Sequence, residues 1–169
     1  VLVLAGVCLT QSSPAQDSLG NFRTDLIAHF IDAPGSIWVG EGRYFMNDFS
    51  DTIAIRPDSS GTGLELRRTL VRTKDTVVMS RGRGQVLPAA AGQSYLVHWS
   101  EPKFANLIGT MDWVDGQWVI SIDGEWSAWS VRLRYDTRFS FVAALAGALG
   151  NLPSVEVMEM TYRLVTPGP

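Results

Sequence analysis

With 169 residues, 46% of them hydrophobic, the chain can bury one sizeable core and is short enough to be a single domain. Sixteen glycines and eight prolines are scattered rather than gathered in one tract, which favours many turns between short elements over a linker between two domains. A formal net charge of -3 argues against a general polyanion binder, because phosphate contacts need a positive surface, and nucleic acid is not an expected partner.

The run from Val1 to Leu9 is too short to span a bilayer but has the length of a signal-peptide core. Ser13 and Ala15 stand three and one positions before Gln16, where cleavage is expected, so residues 1–15 read as a truncated signal peptide. The mature chain would carry no cysteine, which suits an exported protein in the periplasm or outside the cell. A second reading makes Cys8 the acylated residue of a membrane-anchored lipoprotein, with Leu9 to Gly20 as its tether. No other stretch is apolar for long enough to cross a membrane as a helix.

Asp17 can cap an amphipathic helix whose Leu19, Phe22, Leu26, Ile27 and Phe30 share one stripe, with His29 at its edge and Pro34-Gly35 as its stop. Such a stripe must be buried, and one helix ahead of a set of strands usually covers an open end of the sheet. A strand follows through Trp38, then Asp51 to Arg56, then the turn cluster Pro57 to Gly63. Leu64, Leu66 and Leu70 share the next strand's apolar face with Arg68, an inward arginine that fits either a ligand carboxylate or a structural ion pair. After a turn at Thr73-Lys74-Asp75 comes a strand from Thr76 to Met79, and Arg81-Gly82-Arg83-Gly84 reads as a basic loop.

Beyond the loop Pro88 to Gly92, Tyr95, Val97 and Trp99 alternate with Leu96 and His98. Phe104 to Trp113, Gln117 to Ile122 and Trp126 to Tyr135 form a meander around the turns Asp115-Gly116 and Asp123-Gly124. In it Trp118, Ile120 and Ile122 share a face, as do Trp129, Val131, Leu133 and Tyr135. Phe139 to Leu149 is alanine-rich and is expected to be a strand running into a helical turn. Val155 to Val165 is long enough to return to the first strand and remove both open edges.

A tryptophan opening the first strand, a series of antiparallel hairpins and an arginine, Arg163, near the end of the last strand together resemble the calycin superfamily. In lipocalins the pattern is Gly-x-Trp, and this chain has Gly35-Ser36-Ile37-Trp38, one residue longer. The resemblance implies an antiparallel up-and-down β-barrel of about 8–10 strands over residues 16–169, behind the N-terminal helix. It also implies that Arg163 packs on Trp38 at the barrel base. Trp38-Val39-Gly40-Glu41-Gly42 is similar to the Trp-x-Gly-x-Gly opening of nitrobindin-type haem barrels, but no histidine follows residue 98, so haem binding is not carried over.

No residue set compels catalysis. Ser94, His98 and Glu101 are merely near in sequence, and Glu101, Asp112, Asp115 and Glu125 offer no distinct carboxylate pair. Two histidines and no mature cysteine make no ordinary zinc site, and neither a metal nor a cofactor is expected. The expected function is an exported, non-enzymatic barrel that binds a small hydrophobic or amphipathic ligand or lipid through Trp38, Arg68, Tyr95, Trp118 and Trp129. The alternatives are an interaction or lipoprotein-carrier module with a cell-envelope protein partner, and an isomerase or cyclase working in the barrel cavity.

Overall fold

The computed structural model describes residues 35–90, 94–102, 104–123, 127–137, 139–149 and 152–165. The expected signal segment with Cys8, and the amphipathic helix with His29, lie outside these residues. The described residues form ten strands: β1 (Ser36–Tyr44), β2 (Asn47–Pro57), β3 (Leu64–Arg72), β4 (Val77–Pro88), β5 (Tyr95–Glu101), β6 (Phe104–Val114), β7 (Gln117–Asp123), β8 (Ser127–Thr137), β9 (Ser140–Leu149) and β10 (Val155–Val165).

Each strand pairs antiparallel with its sequence neighbour, and β10 returns to β1 from Ile37 opposite Val165 to Tyr44 opposite Met158, closing the barrel. Closure satisfies the last free strand edges. Turn chemistry sets the registers locally: Asp115 and Gly116 both take positive φ, as a two-residue hairpin turn matching the strand twist requires. Period-two alternation then sends Trp38, Asp51, Ile53, Leu70, Val97, Met111, Trp118, Met160 and Tyr162 inward, and the core lies inside the barrel.

Two sequence expectations are corrected. Arg81-Gly82-Arg83-Gly84 is the middle of β4 rather than a basic loop, with its glycines buried on the inner face and its arginines exposed on the outer one. The Phe139 to Leu149 stretch contains no helical turn: Ser140–Leu149 is continuous strand, paired along both edges with β8 and β10. Alanine's helix preference is a few tenths of a kcal/mol per residue, roughly, and yields to two ladders of backbone hydrogen bonds.

Candidate functional site

The up-and-down order places the β2–β3, β6–β7 and β8–β9 connections at one end of the barrel and the β1–β2, β3–β4 and β9–β10 connections at the other. The first end is plugged by two aromatic groups. Phe141 meets Trp38, Tyr135 and Tyr162 at ring-centroid distances of 5.0, 5.2 and 4.7 Å, the last pair stacked. Trp118 meets Tyr95 at 5.4 Å and Trp113 at 5.3 Å, both edge-on. Ring pairs in these geometries each add about 1 kcal/mol to the area they bury.

Above the plug, on the β2–β5 side, lies a polar cluster. Asp51 is fully buried, and its Oδ2 accepts hydrogen bonds from Tyr162 Oη and Arg68 Nε, both at 2.6 Å. Arg68 Nη1 lies 3.7 Å from Glu101 Oε1, and Glu101 accepts from Ser80 Oγ at 2.7 Å and Trp99 Nε1 at 3.1 Å. Burial opposes the charge of Arg68, but Asp51, Tyr162 and Glu101 outweigh it and hold the guanidinium above its ordinary range. Burial, reinforced by the Asp51 charge, keeps the Tyr162 phenol protonated well above the usual tyrosine value. Formally, two carboxylates face one guanidinium, which leaves one negative charge in excess.

The wall opposite, formed by β7, β8 and β9, is apolar. Ile120, Val131, Leu133 and Leu145 sit near the middle of their strands on the inner face and still are only half-buried, as is Ile53 across the barrel. These side chains pack against the buried core and keep part of their surface accessible. Glycines lie beneath two of the large rings. The Trp99 indole lies over Gly82 and Gly84, where an added Cβ would come within 2.6 Å of its ring at Gly84 and closer at Gly82. Trp129 covers Gly147 in the same way, at 2.5 Å. Both indoles therefore lie along the wall instead of projecting across the lumen.

Of the residues singled out from the sequence, Trp38, Tyr95 and Trp118 belong to the aromatic plug, and Trp129 and Arg68 face the lumen above it. Arg68 is committed to Asp51, the ion-pair alternative rather than a free anchor. Arg163 does not pack on Trp38. It alternates outward from Tyr162 and is exposed, while Trp38 packs on Phe141. Ser94, His98 and Glu101 do not assemble: Ser94 donates to Asp112, His98 is exposed outside, and Glu101 turns inward. Sequence reasoning missed Asp51, Tyr162 and Glu101 as a set. The signal was present, since Asp51 shares the period-two face of Ile53 and Ile55, and Glu101 extends that of Tyr95, Val97 and Trp99.

No group of three or more potential metal ligands is found among the described residues. Among the described residues no helix is long and apolar enough to cross a membrane. A scan against protein-family models matched none, and a search of curated proteins found no match. Among solved structures the chain is similar to Rv2717c from M. tuberculosis, with a TM-score of 0.60 and 9% identity, covering 92% of this chain and 100% of that one. It is also similar to the S-type phycobiliprotein lyase CPES from Guillardia theta, with a TM-score of 0.56 and 10% identity, covering 94% of this chain and 99% of that one. At such identities what is shared is the fold, a closed antiparallel barrel.

Proposed function

We propose that the chain is an exported binding protein for a small amphipathic ligand held inside the barrel. The observation that carries this reading is the two-sided lumen, with half-buried Ile120, Val131, Leu133 and Leu145 on one wall and the Arg68–Glu101 pair on the other. The apolar body of the ligand lies along β7–β9, and its polar end reaches Glu101. Because carboxylates outnumber the guanidinium there, the favoured polar end is a hydrogen-bond donor or a cation, and a ligand carboxylate is disfavoured. That one structural neighbour is a phycobiliprotein lyase is in keeping with a barrel of this fold taking a small ligand. Export rests on the apolar run from Val1 to Leu9 and the small residues before Gln16.

The test is a tryptophan-fluorescence titration with dodecylamine and with laurate, using Trp99 beside Glu101 as a reporter. Dodecylamine is expected to bind more tightly, and Glu101→Gln should narrow the difference. Equal affinities, unchanged by the substitution, would remove the polar-end assignment.

A second reading has its own observation. The end opposite the plug exposes Phe45 at 65%, Met46 at 96%, Leu152 at 66% and Val155 at 61%. Apolar side chains gathered on hairpin tips suit an interaction module of the cell envelope. Light scattering of the purified chain that shows concentration-dependent self-association, abolished by Phe45→Ser/Met46→Ser, would favour it.

A further inference from the structure

The outer wall of β3, β4 and β5 carries an arrangement that neither the lumen nor the fold requires. Arg67 and Arg83 stand directly opposite each other across the β3–β4 ladder, and Thr69 faces Arg81 one outward position further along. Like charges directly opposite on one face of a sheet repel and are ordinarily avoided. Both arginines are exposed, and among the described residues neither they nor Arg81 has a carboxylate within ion-pair distance. The one carboxylate close by, Glu65, is taken by Arg56, whose Nε and Nη2 lie 2.9 and 2.5 Å from it. Donors continue across the wall, because Gln85 pairs with His98 and Arg83 with Ser100 between β4 and β5.

These side chains surround a concavity of about 600 Å³, lined by Arg56, Arg67, Arg83, His98, Asn106 and Ile108 among others. A chain of net charge -3 has thus gathered unpaired guanidinium groups on one face. Planar guanidinium forks match the oxygens of a phosphoryl group two at a time, and an anion between them converts their repulsion into binding energy. We propose that this outer groove is a binding site for a small multiply charged oxyanion of the phosphoryl class, held between Arg67 and Arg83, with His98 and Asn106 as further hydrogen-bonding groups at its edge. The groove's size and its one exposed apolar side chain, Ile108 at 63%, suit a soluble phosphorylated molecule better than a lipid surface. The site is separate from the lumen, whose side chains point the other way from the same strands.

The experiment measures thermal melting and calorimetric binding of the full chain with sodium pyrophosphate, against sodium chloride at matched ionic strength. Pyrophosphate is expected to raise the melting temperature saturably, and Arg67→Thr and Arg83→Thr each to weaken its binding about tenfold, the effect of losing one charge-assisted hydrogen bond. Without pyrophosphate the double variant should melt no lower than the parent, because a repulsion has been removed, and Arg134→Gln on β8 should leave pyrophosphate binding unchanged. The proposal is overturned by a pyrophosphate effect no larger than that of chloride, or by equal affinity in the double variant. Binding to phosphatidic acid vesicles with no response to pyrophosphate would overturn it as well.

Discussion

Asp51 Oδ2 accepts both Tyr162 and Arg68, while its Oδ1 is buried with no hydrogen-bond partner among the described residues. Removing the carboxylate strands a mostly buried guanidinium, so Asp51→Ala is expected to cost about 3–5 kcal/mol of stability in urea unfolding. Asp51→Leu/Arg68→Met/Glu101→Gln should recover most of that loss, because all three charges of the cluster leave together. Tyr162 supplies a pH signature. Burial, with the Asp51 charge second, raises its phenol above the ordinary value of 10.0, so the folded chain keeps a proton that the unfolded chain releases. Stability is therefore intact below about pH 10 and falls as pH rises through the folded value. Tyr162→Phe should flatten that alkaline loss in pH-dependent melting, although not abolish it, since burial also raises Tyr135. A parent chain with no alkaline loss, or an unchanged slope in the variant, would contradict this assignment.

At the scale of elements, inward glycines decide how neighbouring strands meet. An added Cβ at Gly42 would run into the Glu159 carbonyl oxygen and come within 2.7 Å of Met160 Cα, both backbone atoms of the adjoining β10. Backbone in a paired ladder has little room to give. Gly42→Ala is therefore expected to loosen the β1–β10 seam and to destabilise by about 1–3 kcal/mol, measurable by chemical denaturation. At Gly84 the obstacle is the Trp99 side chain, which can swing away. Gly84→Val should thus push the indole into the lumen, break its bond to Glu101 and change the near-ultraviolet circular dichroism while keeping the fold. Gly82 and Gly84 explain what the sequence left unread. Next to Arg81 and Arg83 they look like loop residues, and only the partner strands reveal that each faces an indole on the inner wall. The Asp115-Gly116 turn, by contrast, was legible, because its positive φ angles depend on those two residues alone.

For the molecule as a whole, the antiparallel barrel could be read from period-two alternation: Trp118, Ile120 and Ile122, like Trp129, Val131, Leu133 and Tyr135, do share the inner face. Closure was legible in the length of β10. The division of the lumen was not, because it depends on pairing Asp51 with Tyr162 across 111 positions, and strand shear sets that meeting. Nor could the sequence say that Arg163 turns away from Trp38. That follows from the β1–β10 register, which sets Trp38 opposite Leu164, and from the alternation along β10. The central claim is an open lumen with an apolar wall, and its most direct test is calorimetric titration with the uncharged probe 1-aminoanthracene. The parent chain, and an Ile108→Ala control on the outer wall, are expected to show one saturable site, and Leu145→Trp, which fills the lumen, should lose it without loss of fold by circular dichroism. No saturable binding to the parent, or undiminished binding to Leu145→Trp, would contradict the account.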